Sequence, residues 1–268
     1  MILDRCCCLV TGANSGIGLA IVRELAKRPV RILGGCLQVP AVPPEVKLHA
    51  GSSLQWVPLD LGSRSSIDAG CEALGETLAE IDVLISNAGV MDGNLLDLQP
   101  IASLYETSQI NLTAPMHLTA RLLPNLLRRG RGKLIYNTSF TAYAHVPGAA
   151  AYSASKAGMQ GFCNALRREL SGTGITVLSV VTPAVRTDML RSASAANQVD
   201  LPDWTVITPE SWATQIVRAI ERDTKEVWSA GLGRVMRFLA HQVPWLFNFL
   251  LDRAYPFRRN LFTGNSKA

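Results

Sequence analysis

The sequence predicts a doubly wound α/β fold, with a parallel sheet of about seven strands and helices on both faces. Short apolar runs rich in β-branched residues alternate along the chain with longer segments whose apolar residues recur at helical spacing. This alternation is typical of βαβ units, whose right-handed crossovers cover both faces of one sheet. No linker rich in proline, glycine or serine divides the chain, so residues 1–268 are expected to form a single domain.

Seven runs have the composition of strands. The first is CCCLVTG at residues 6–12, which is apolar and ends in glycine, as a strand buried on both faces does. The others, in chain order, are VRILGGC, LQWVPLDL, IDVLISNAG, GKLIYNTS, ITVLSVVTP and EVWSAG. Apolar residues at helical spacing predict helices at residues 17–27, around Ile110, at 115–127 and at 152–170.

Two segments fit no regular element. Residues 38–53 are proline-rich where the second helix of such a fold would lie, which favours a short or irregular connection. Residues 191–204 are polar and aperiodic, as expected of a mobile loop beside a binding site. From about residue 188 to residue 268, the chain is expected to supply a substrate lid and an apolar C-terminal segment within the same domain.

Composition excludes several classes of protein. With 48% hydrophobic and 18% charged residues, the chain can form a core and is not of the disordered type. The net charge of +5 suits an anionic ligand, but no basic-aromatic motif for nucleic acid is present. The six cysteines lack metal-ligand spacing and indicate buried thiols, so a cytoplasmic protein without a metal is expected.

A glycine-rich turn, TGANSGIG at residues 11–18, joins the first strand to the first helix. Gly12 suits a tight turn, Gly16 lets the backbone approach a phosphate, and Gly18 allows close contact between helix and strand. The N–H groups at the start of the helix then attract a pyrophosphate. The alternative is an ordinary strand–helix turn.

A second short motif is YSASK at residues 152–156. Tyr152 and Lys156 are four residues apart, so on a helix they share one face. A free phenol titrates near about 10, and a nearby ammonium favours the phenolate, so the pair suits proton transfer near neutral pH. The alternative is an ordinary helix surface.

The T-G-x-x-x-G-x-G spacing of the turn resembles the short-chain dehydrogenase/reductase family. SNAG at residues 86–89 stands where that family has N-N-A-G, with Ser86 in place of the first asparagine. Asp60, in PLDL, ends the third strand where the family contacts adenine. The order and approximate spacing of the family's catalytic tetrad are found in Asn111, Ser139, Tyr152 and Lys156. The resemblance covers about residues 5–190 and implies a Rossmann-type fold.

The resemblance implies a role for each of these four residues. Tyr152 would donate a proton when a carbonyl is reduced and accept one when an alcohol is oxidised, while a nicotinamide exchanges the hydride. Lys156 would lower the pKa of the phenol and bind the nicotinamide ribose. Ser139 would donate a hydrogen bond to the substrate oxygen. Asn111 would hold a water in the proton path; its alternative is a polar helix residue without a catalytic part.

The nucleotide-binding residues are also implied by the resemblance. Besides Tyr152 and Lys156, they are Gly12, Asn14, Ser15, Gly16, Ile17, Gly18, Asp60, Leu61, Asn87, Ala88, Gly89, Pro183, Val185 and Thr187. PAVRT at residues 183–187 lacks the glycine of the family's P-G-x-V-x-T and is one residue short, so the local backbone must differ.

The end of the second strand bears on the choice of cofactor. Enzymes that use NAD usually carry an acid there, and those that use NADP often carry an arginine nearby. Gly35 and Cys36 stand at this place, so neither signature is present. Because no carboxylate would repel a 2′-phosphate and Ser15 could hydrogen-bond it, NADP is favoured, with NAD as the alternative.

Two functions of different class follow from the sequence. The first is an oxidoreductase that acts on a small-molecule carbonyl or alcohol and forms a homo-oligomer, a dimer or a tetramer. The second is a nucleotide-binding sensor or scaffold without turnover, against which the complete tetrad argues. The spacing of the glycines and the short C-terminal part disfavour the extended epimerase and dehydratase branch.

The apolar residues 235–251 leave the substrate class open. They would form a lid, a core helix or a subunit contact; the alternatives are a pocket for a lipophilic substrate and a peripheral membrane contact. In the last case Arg253, Arg258 and Arg259 could meet anionic headgroups. Because Pro244 interrupts the helical run and the stretch is short, a lid or subunit contact is favoured.

Overall fold

The computed structural model describes residues 3–197 and 203–254, and in these residues seven strands form one sheet. The strands are β1 (Cys7–Thr11), β2 (Arg31–Cys36), β3 (Ser53–Pro58), β4 (Ile81–Ser86), β5 (Gly132–Asn137), β6 (Ile175–Val181) and β7 (Glu226–Trp228). Their order is β3-β2-β1-β4-β5-β6-β7, and every neighbouring pair is parallel. The predicted fold class and number of strands are confirmed.

Helices connect the strands and cover the sheet. Within the described residues they are α1 (Gly16–Leu25), α2 (Arg64–Leu74), α3 (Thr77–Glu80), α4 (Ile101–Ser108), α5 (Ala114–Arg129), α6 (Ala150–Glu169), α7 (Asp188–Asn197), α8 (Pro209–Glu221), α9 (Leu232–Gln242) and α10 (Pro244–Ala254). A π-helical turn, Gln109–Thr113, joins α4 to α5. The helical segments predicted from apolar spacing are all present.

The helices α2 and α8, which apolar spacing did not predict, begin at side-chain caps. Ser63 Oγ accepts a hydrogen bond from the Ser66 N–H at 3.1 Å, and Ser66 Oγ accepts one from the Ser63 N–H at 3.1 Å. This reciprocal capping box fixes the start of α2. At α8, Thr208 Oγ1 accepts from the Ser211 N–H at 3.2 Å, and Pro209 occupies the first helical position.

Alternate residues of the central strands face two apolar cores. Cys8 and Val10 of β1 contribute to the core that α1 and α8 cover. Leu9, between them, contributes to the core that α2, α5 and α6 cover, and it pairs in register with Leu33 and Leu84 of the neighbouring strands. Both faces of β1 are thus buried, which accounts for its unbroken apolar run.

The irregular segments agree with the sequence only in part. Residues 38–52 contain no helix or strand, as predicted. The loop predicted at residues 191–204 is wrong at its start, because α7 continues to Asn197; residues 198–202 lie outside the described residues. Alanine has the highest helix propensity, so its three copies in α7 favour a helix even where no apolar periodicity marks it. Pro244 separates α9 from α10 and opens the second helix, where its missing N–H needs no partner.

The strand order reverses at β1, because β2 lies on one side of it and β4 on the other. In open α/β sheets, ligands bind in the crevice outside the carboxyl ends of the two strands at such a point. The glycine-rich turn follows β1 and the SNAG motif ends β4, so the fold places both predicted motifs at this crevice.

Candidate active site

The turn after β1 has a backbone that glycine adopts more easily than other residues. Gly12 and Gly16 have φ angles of +63° and +51°, in the left-handed region. A Cβ atom on Gly18 would lie 2.0 Å from the carbonyl oxygen of Gly12, so α1 packs against the turn too closely for a side chain. The three glycines therefore form a cradle that any substitution would fill or distort.

The start of α1 is open to an anionic group. Ser15 occupies the N-cap position without a capping hydrogen bond from its side chain, and the first turn holds no acidic residue. N–H groups in the first turn of a helix have no intrahelical partner, and the helix dipole favours negative charge beside them. The turn from Asn14 through Ile17 therefore fits the pyrophosphate of a dinucleotide.

Thr11 ties the end of β4 to the glycine-rich turn. Its Oγ1 accepts hydrogen bonds from the backbone N–H groups of Asn87 and Ala88, both at 3.0 Å. Asn87 Nδ2 donates to the carbonyl oxygens of Thr11 at 3.1 Å and of Gly12 at 3.4 Å. These bonds hold the two strand ends at a fixed separation on either side of the crevice.

The ends of β2 and β3 form the predicted adenosine side. The Ala13 N–H donates to the Gly35 carbonyl at 3.1 Å, which joins the glycine-rich turn to β2. Cys36 is buried, so the first exposed side chain after β2 is Leu37, at 68%. After β3, Asp60 Oδ1 accepts from the Gly62 N–H at 2.8 Å. The next residue, Leu61, is buried in the core, so a ligand could meet only its backbone.

Tyr152 and Lys156 lie on one face of α6, as their spacing predicted. Lys156 Nζ is 5.5 Å from the centroid of the Tyr152 ring and donates to the carbonyl oxygen of Asn137 at 2.8 Å. Burial lowers the pKa of the Lys156 ammonium from 10.5 to about 8. The lysine is therefore mostly charged at pH 7 and loses its proton at moderately alkaline pH.

The protein raises the pKa of the Tyr152 phenol above 10.0, because burial outweighs the opposing hydrogen bond with Ser139. This direction is opposite to the one expected from the sequence; the ammonium of Lys156 is directed to Asn137 instead. The phenol is accordingly protonated at neutral pH. Ser139 Oγ accepts from the N–H and Oγ1 of Thr141 at 3.2 and 3.0 Å, which leaves its own proton to donate.

Two other tyrosines near the sheet have structural partners. The hydroxyl of Tyr136 lies 2.6 Å from Thr119 Oγ1 in the core, and the hydroxyl of Tyr143 donates to Glu226 Oε1 at 2.8 Å. Burial raises the pKa of both phenols; the bond with Thr119 opposes this shift at Tyr136, and Glu226 adds to it at Tyr143. Neither has the lysine partner that Tyr152 has.

Asn111 lies in the π-helical turn and is buried. Its Oδ1 accepts from the Val90 N–H at 2.8 Å, while its Nδ2 donates to the Val90 carbonyl at 2.8 Å and to Ser155 Oγ at 3.2 Å. The side chain thus ties the segment after β4 to α6. A Cβ on Gly89 would lie 3.1 Å from Asn111 Oδ1 and 3.5 Å from Lys156 Nζ, so this glycine keeps the floor of the crevice open.

The segment after β6 reaches the glycine-rich turn although it is one residue short. The methyl carbon of Thr187 lies 3.4 Å from where a Cβ on Gly16 would stand. Val185 is buried and forms a parallel bridge with Ile207, so its backbone alone could contact a ligand. Pro183 precedes this bridge and is partly exposed. The structure therefore brings Thr187 beside the glycine-rich turn.

A chain of side-chain hydrogen bonds that sequence analysis missed crosses the carboxyl ends of the strands. Trp212 Nε1 donates to Thr182 Oγ1 at 3.0 Å, and Thr182 Oγ1 in turn donates to Asn137 Oδ1. Asn137 Nδ2 then donates to Asn87 Oδ1 at 3.0 Å. Asn137 thus holds Asn87 through its side chain and Lys156 through its backbone carbonyl. No spacing motif marks partners so far apart in sequence.

Comparison with known proteins places these motifs in a family. A family profile described as short chain dehydrogenase matches residues 7–198. The chain belongs to the short-chain dehydrogenase/reductase family. Its relatives are named as reductases and dehydrogenases, and this chain is an oxidoreductase of that family.

Two curated relatives of this short-chain dehydrogenase are reductases by name. A ketoacyl reductase, HetN, from a Nostoc species is 33% identical over 226 residues, which cover 82% of this chain and 76% of the relative. The 3-oxoacyl-[acyl-carrier-protein] reductase FabG of Haemophilus influenzae is 30% identical over 181 residues, which cover 68% of this chain and 74% of the relative.

Solved structures share the fold of this short-chain dehydrogenase. A short-chain dehydrogenase from Burkholderia cenocepacia in complex with NADP has a TM-score of 0.76 at 22% identity, covering 94% of this chain and 99% of its own. A metagenomic short-chain oxidoreductase in complex with NADP has a TM-score of 0.67 at 25% identity, covering 84% and 96%. Among the described residues, no cluster of histidine, cysteine and acidic side chains could hold a metal ion.

We expect Asn137→Leu to lower the free energy of unfolding of this short-chain dehydrogenase by about 2 kcal/mol or more, because Asn87 Oδ1 loses its donor and the Thr182 hydroxyl loses its acceptor. Urea unfolding of the variant and of the wild type gives this difference. Asn164→Leu is the matched control: Asn164 is exposed on α6 and contacts Arg167, so we expect a change within about 0.5 kcal/mol. Equal stability of the two variants would contradict the role given to the chain of hydrogen bonds.

Proposed function

We propose that this short-chain dehydrogenase reduces the carbonyl group of a small molecule to an alcohol with NADPH, and that Tyr152 donates the proton. The observation that carries the proposal is the Tyr152 phenol, hydrogen-bonded to Ser139 and beside Lys156, at the crevice of the glycine-rich turn. The raised pKa keeps the phenol in the protonated form that reduction needs, and the nearby ammonium of Lys156 favours release of the proton by stabilising the phenolate. Oxidation of the alcohol is the same chemistry in reverse.

Three of the four residues act on the reacting groups, and Asn111 positions the elements that carry them. Ser139 donates a hydrogen bond to the substrate oxygen while negative charge develops there, and Tyr152 transfers its proton to that oxygen. The ammonium of Lys156 stabilises the phenolate that remains and is placed to bind a ribose hydroxyl. Asn111 holds the Val90 segment and α6 together, so that these groups keep their positions. A bound nicotinamide nucleotide supplies the hydride.

The choice of NADPH rests on the end of β2. No carboxylate stands there, and Leu37 is the first exposed side chain, so nothing would repel a 2′-phosphate. Ser15 offers a hydroxyl at the N-terminus of α1, where an anion is favoured. The NADP-bound metagenomic relative supports the same choice. NAD is the alternative.

The direct test is NADPH oxidation with a panel of ketones and aldehydes. Ketoacyl compounds come first, because the relatives HetN and FabG are named as reductases of that class. We expect turnover with at least one carbonyl and tighter binding of NADPH than of NADH. Binding of nucleotide without turnover on a broad panel would favour the alternative, a sensor or scaffold.

The cofactor assignment can be tested by charge at position 37. Leu37→Arg is expected to raise the ratio of NADPH to NADH affinity about 10-fold, because a guanidinium can pair with the 2′-phosphate, and Leu37→Asp to lower it by a similar factor. Fluorescence titration with both nucleotides measures the ratio. Leu127→Arg adds the same charge at a half-exposed site on α5 and should leave the ratio unchanged. If the wild type, Leu37→Arg and Leu37→Asp have equal ratios of NADPH to NADH affinity, the 2′-position does not lie beside residue 37.

We also propose that residues 1–268 act as one domain and assemble as a homo-oligomer in the cytoplasm. Exposed apolar side chains around α4, which are Leu96, Ile101 and Tyr105, support association between copies. The six cysteines are buried thiols, as is typical of a reducing compartment. Light scattering on the purified protein tests the assembly, and a monomer at micromolar concentration would contradict it.

A further inference from the structure

Two successive helices at the C-terminal end of the described chain, α9 and α10, expose an apolar surface. Its members are between 45% and 71% exposed, and they are Val235, Phe238, Trp245, Phe249 and Leu250. We call them the C-terminal apolar surface. Such a concentration of aromatic and aliphatic side chains in solvent is typical of an interaction site.

The same two helices carry cations and almost no acid. Arg234 and Arg237 are exposed on α9 beside Val235 and Phe238. The guanidinium of Arg253 stacks over the Phe249 ring, 5.9 Å from its centroid. Asp252 is the single aspartate or glutamate of α9 and α10. The C-terminal apolar surface is therefore complementary to a partner that is apolar and negatively charged.

The helix pair is fixed to the body of the protein with this surface outward. Phe247 is buried, and its ring packs edge-on against Phe140 at 5.8 Å. On α9, Arg237 and His241 both contact Glu226 Oε2, at 3.3 and 3.2 Å. The outward apolar side chains are thus presented by an anchored element, and a partner could bind them without unfolding it.

The two helices are too short to span a bilayer, but their length suits binding at a membrane surface. Each has 11 residues and is about 16 Å long, roughly half the thickness of a bilayer core. No helix in the described part of the chain is long and apolar enough to cross a membrane. Short helices with aromatic and aliphatic residues on one face and arginine beside them lie in the plane of the headgroups.

We propose that the C-terminal apolar surface docks on an anionic lipid bilayer. Val235, Phe238, Trp245, Phe249 and Leu250 enter the boundary between headgroups and acyl chains, and Arg234 and Arg253 meet lipid phosphates and carboxylates. This revises the preference drawn from the sequence for a lid or subunit contact. Arg258 and Arg259, named there, lie outside the described residues.

A second copy of the chain fits this surface less well. A two-fold interface brings the same patch of both copies together, so the arginines of one would approach those of the other. Asp252, next to Arg253, is the single acid of α9 and α10, so each copy would bring more arginines than carboxylates to the contact. A bilayer that contains acidic lipids supplies both the apolar environment and the opposite charge.

The test is co-sedimentation of the full chain with vesicles. With phosphatidylcholine and about a third phosphatidylserine at low salt, we expect binding at least about 5-fold stronger than to phosphatidylcholine alone, and a loss of most of it at high salt. Trp245→Ser should weaken binding about 10-fold, because it removes the most exposed aromatic anchor. Arg234→Gln with Arg253→Gln should weaken it by a similar factor.

Val42→Ser is the matched control, since Val42 is 86% exposed in the segment between β2 and β3 and should not affect vesicle binding. Thermal unfolding of each variant verifies that it is folded. The proposal is overturned if the wild type does not bind anionic vesicles, or if Trp245→Ser binds them as strongly as the wild type does. A fall in oligomer size caused by Trp245→Ser, without vesicle binding by the wild type, would assign the surface to a second copy.

Discussion

Tyr152→Phe is expected to lower turnover by about 100-fold or more while leaving the affinity for NADPH nearly unchanged. The substitution removes only the hydroxyl whose proton the substrate oxygen takes, and the ring that lies beside Lys156 remains. The hydroxyl's hydrogen bond with Ser139 is lost, but Ser139 keeps its two bonds from Thr141 and hence its orientation.

Single-turnover reduction of the best carbonyl from the panel, with NADPH titrated separately, measures both quantities. Tyr105→Phe is the control, because Tyr105 is an exposed tyrosine on α4 and should keep full turnover. If Tyr152→Phe retains more than about a tenth of the wild-type kcat, another group supplies the proton. If NADPH affinity falls as far as turnover does, the tyrosine acts mainly in binding.

The strands could be predicted from the sequence because burial on both faces leaves a signature in each strand by itself. The run from Cys7 to Val10 is apolar throughout, and the structure buries it together with Thr11. The need for glycine at positions 12, 16 and 18 is also local. Gly12 and Gly16 have left-handed backbone angles, and Gly18 lies in close contact with Gly12. The fold class and the location of the crevice follow from such local patterns.

What the sequence could not show depends on long-range contacts. The partners of Asn137 are Asn87, Thr182 and Lys156, which come from other strands and from α6. The predicted direction of the Tyr152 pKa shift was wrong for a related reason. The spacing to Lys156 shows that the ammonium is near, but the burial that raises the pKa is a property of the whole fold. The helix α7 was missed because alanine and serine carry no apolar period.

Lys156→Met is expected to reduce turnover about 100-fold at pH 7 and to weaken NADPH binding about 10-fold. The two effects have different causes. Turnover falls because no ammonium stabilises the phenolate of Tyr152, and binding falls because a charged donor to the ribose is lost. Turnover and a nucleotide titration measure them separately. A change in only one of the two would show that the lysine has a single role.

The same variant should change how stability depends on pH. Burial depresses the pKa of Lys156 from 10.5 to about 8, so below pH 8 the wild type carries the full cost of a buried charge. Between about pH 8 and 10.5 the unfolded chain binds more protons than the folded one, so the free energy of unfolding of the wild type rises with pH in this window. The methionine of the Lys156→Met variant has no such proton. The free energy of unfolding of this variant, relative to that of the wild type, should therefore fall by about 2 kcal/mol between pH 7 and roughly pH 9.5. Urea unfolding of both proteins at the two pH values tests this, since the other groups titrate equally in each. If the difference in free energy of unfolding were the same at both pH values, the ammonium would not be buried as the structure places it.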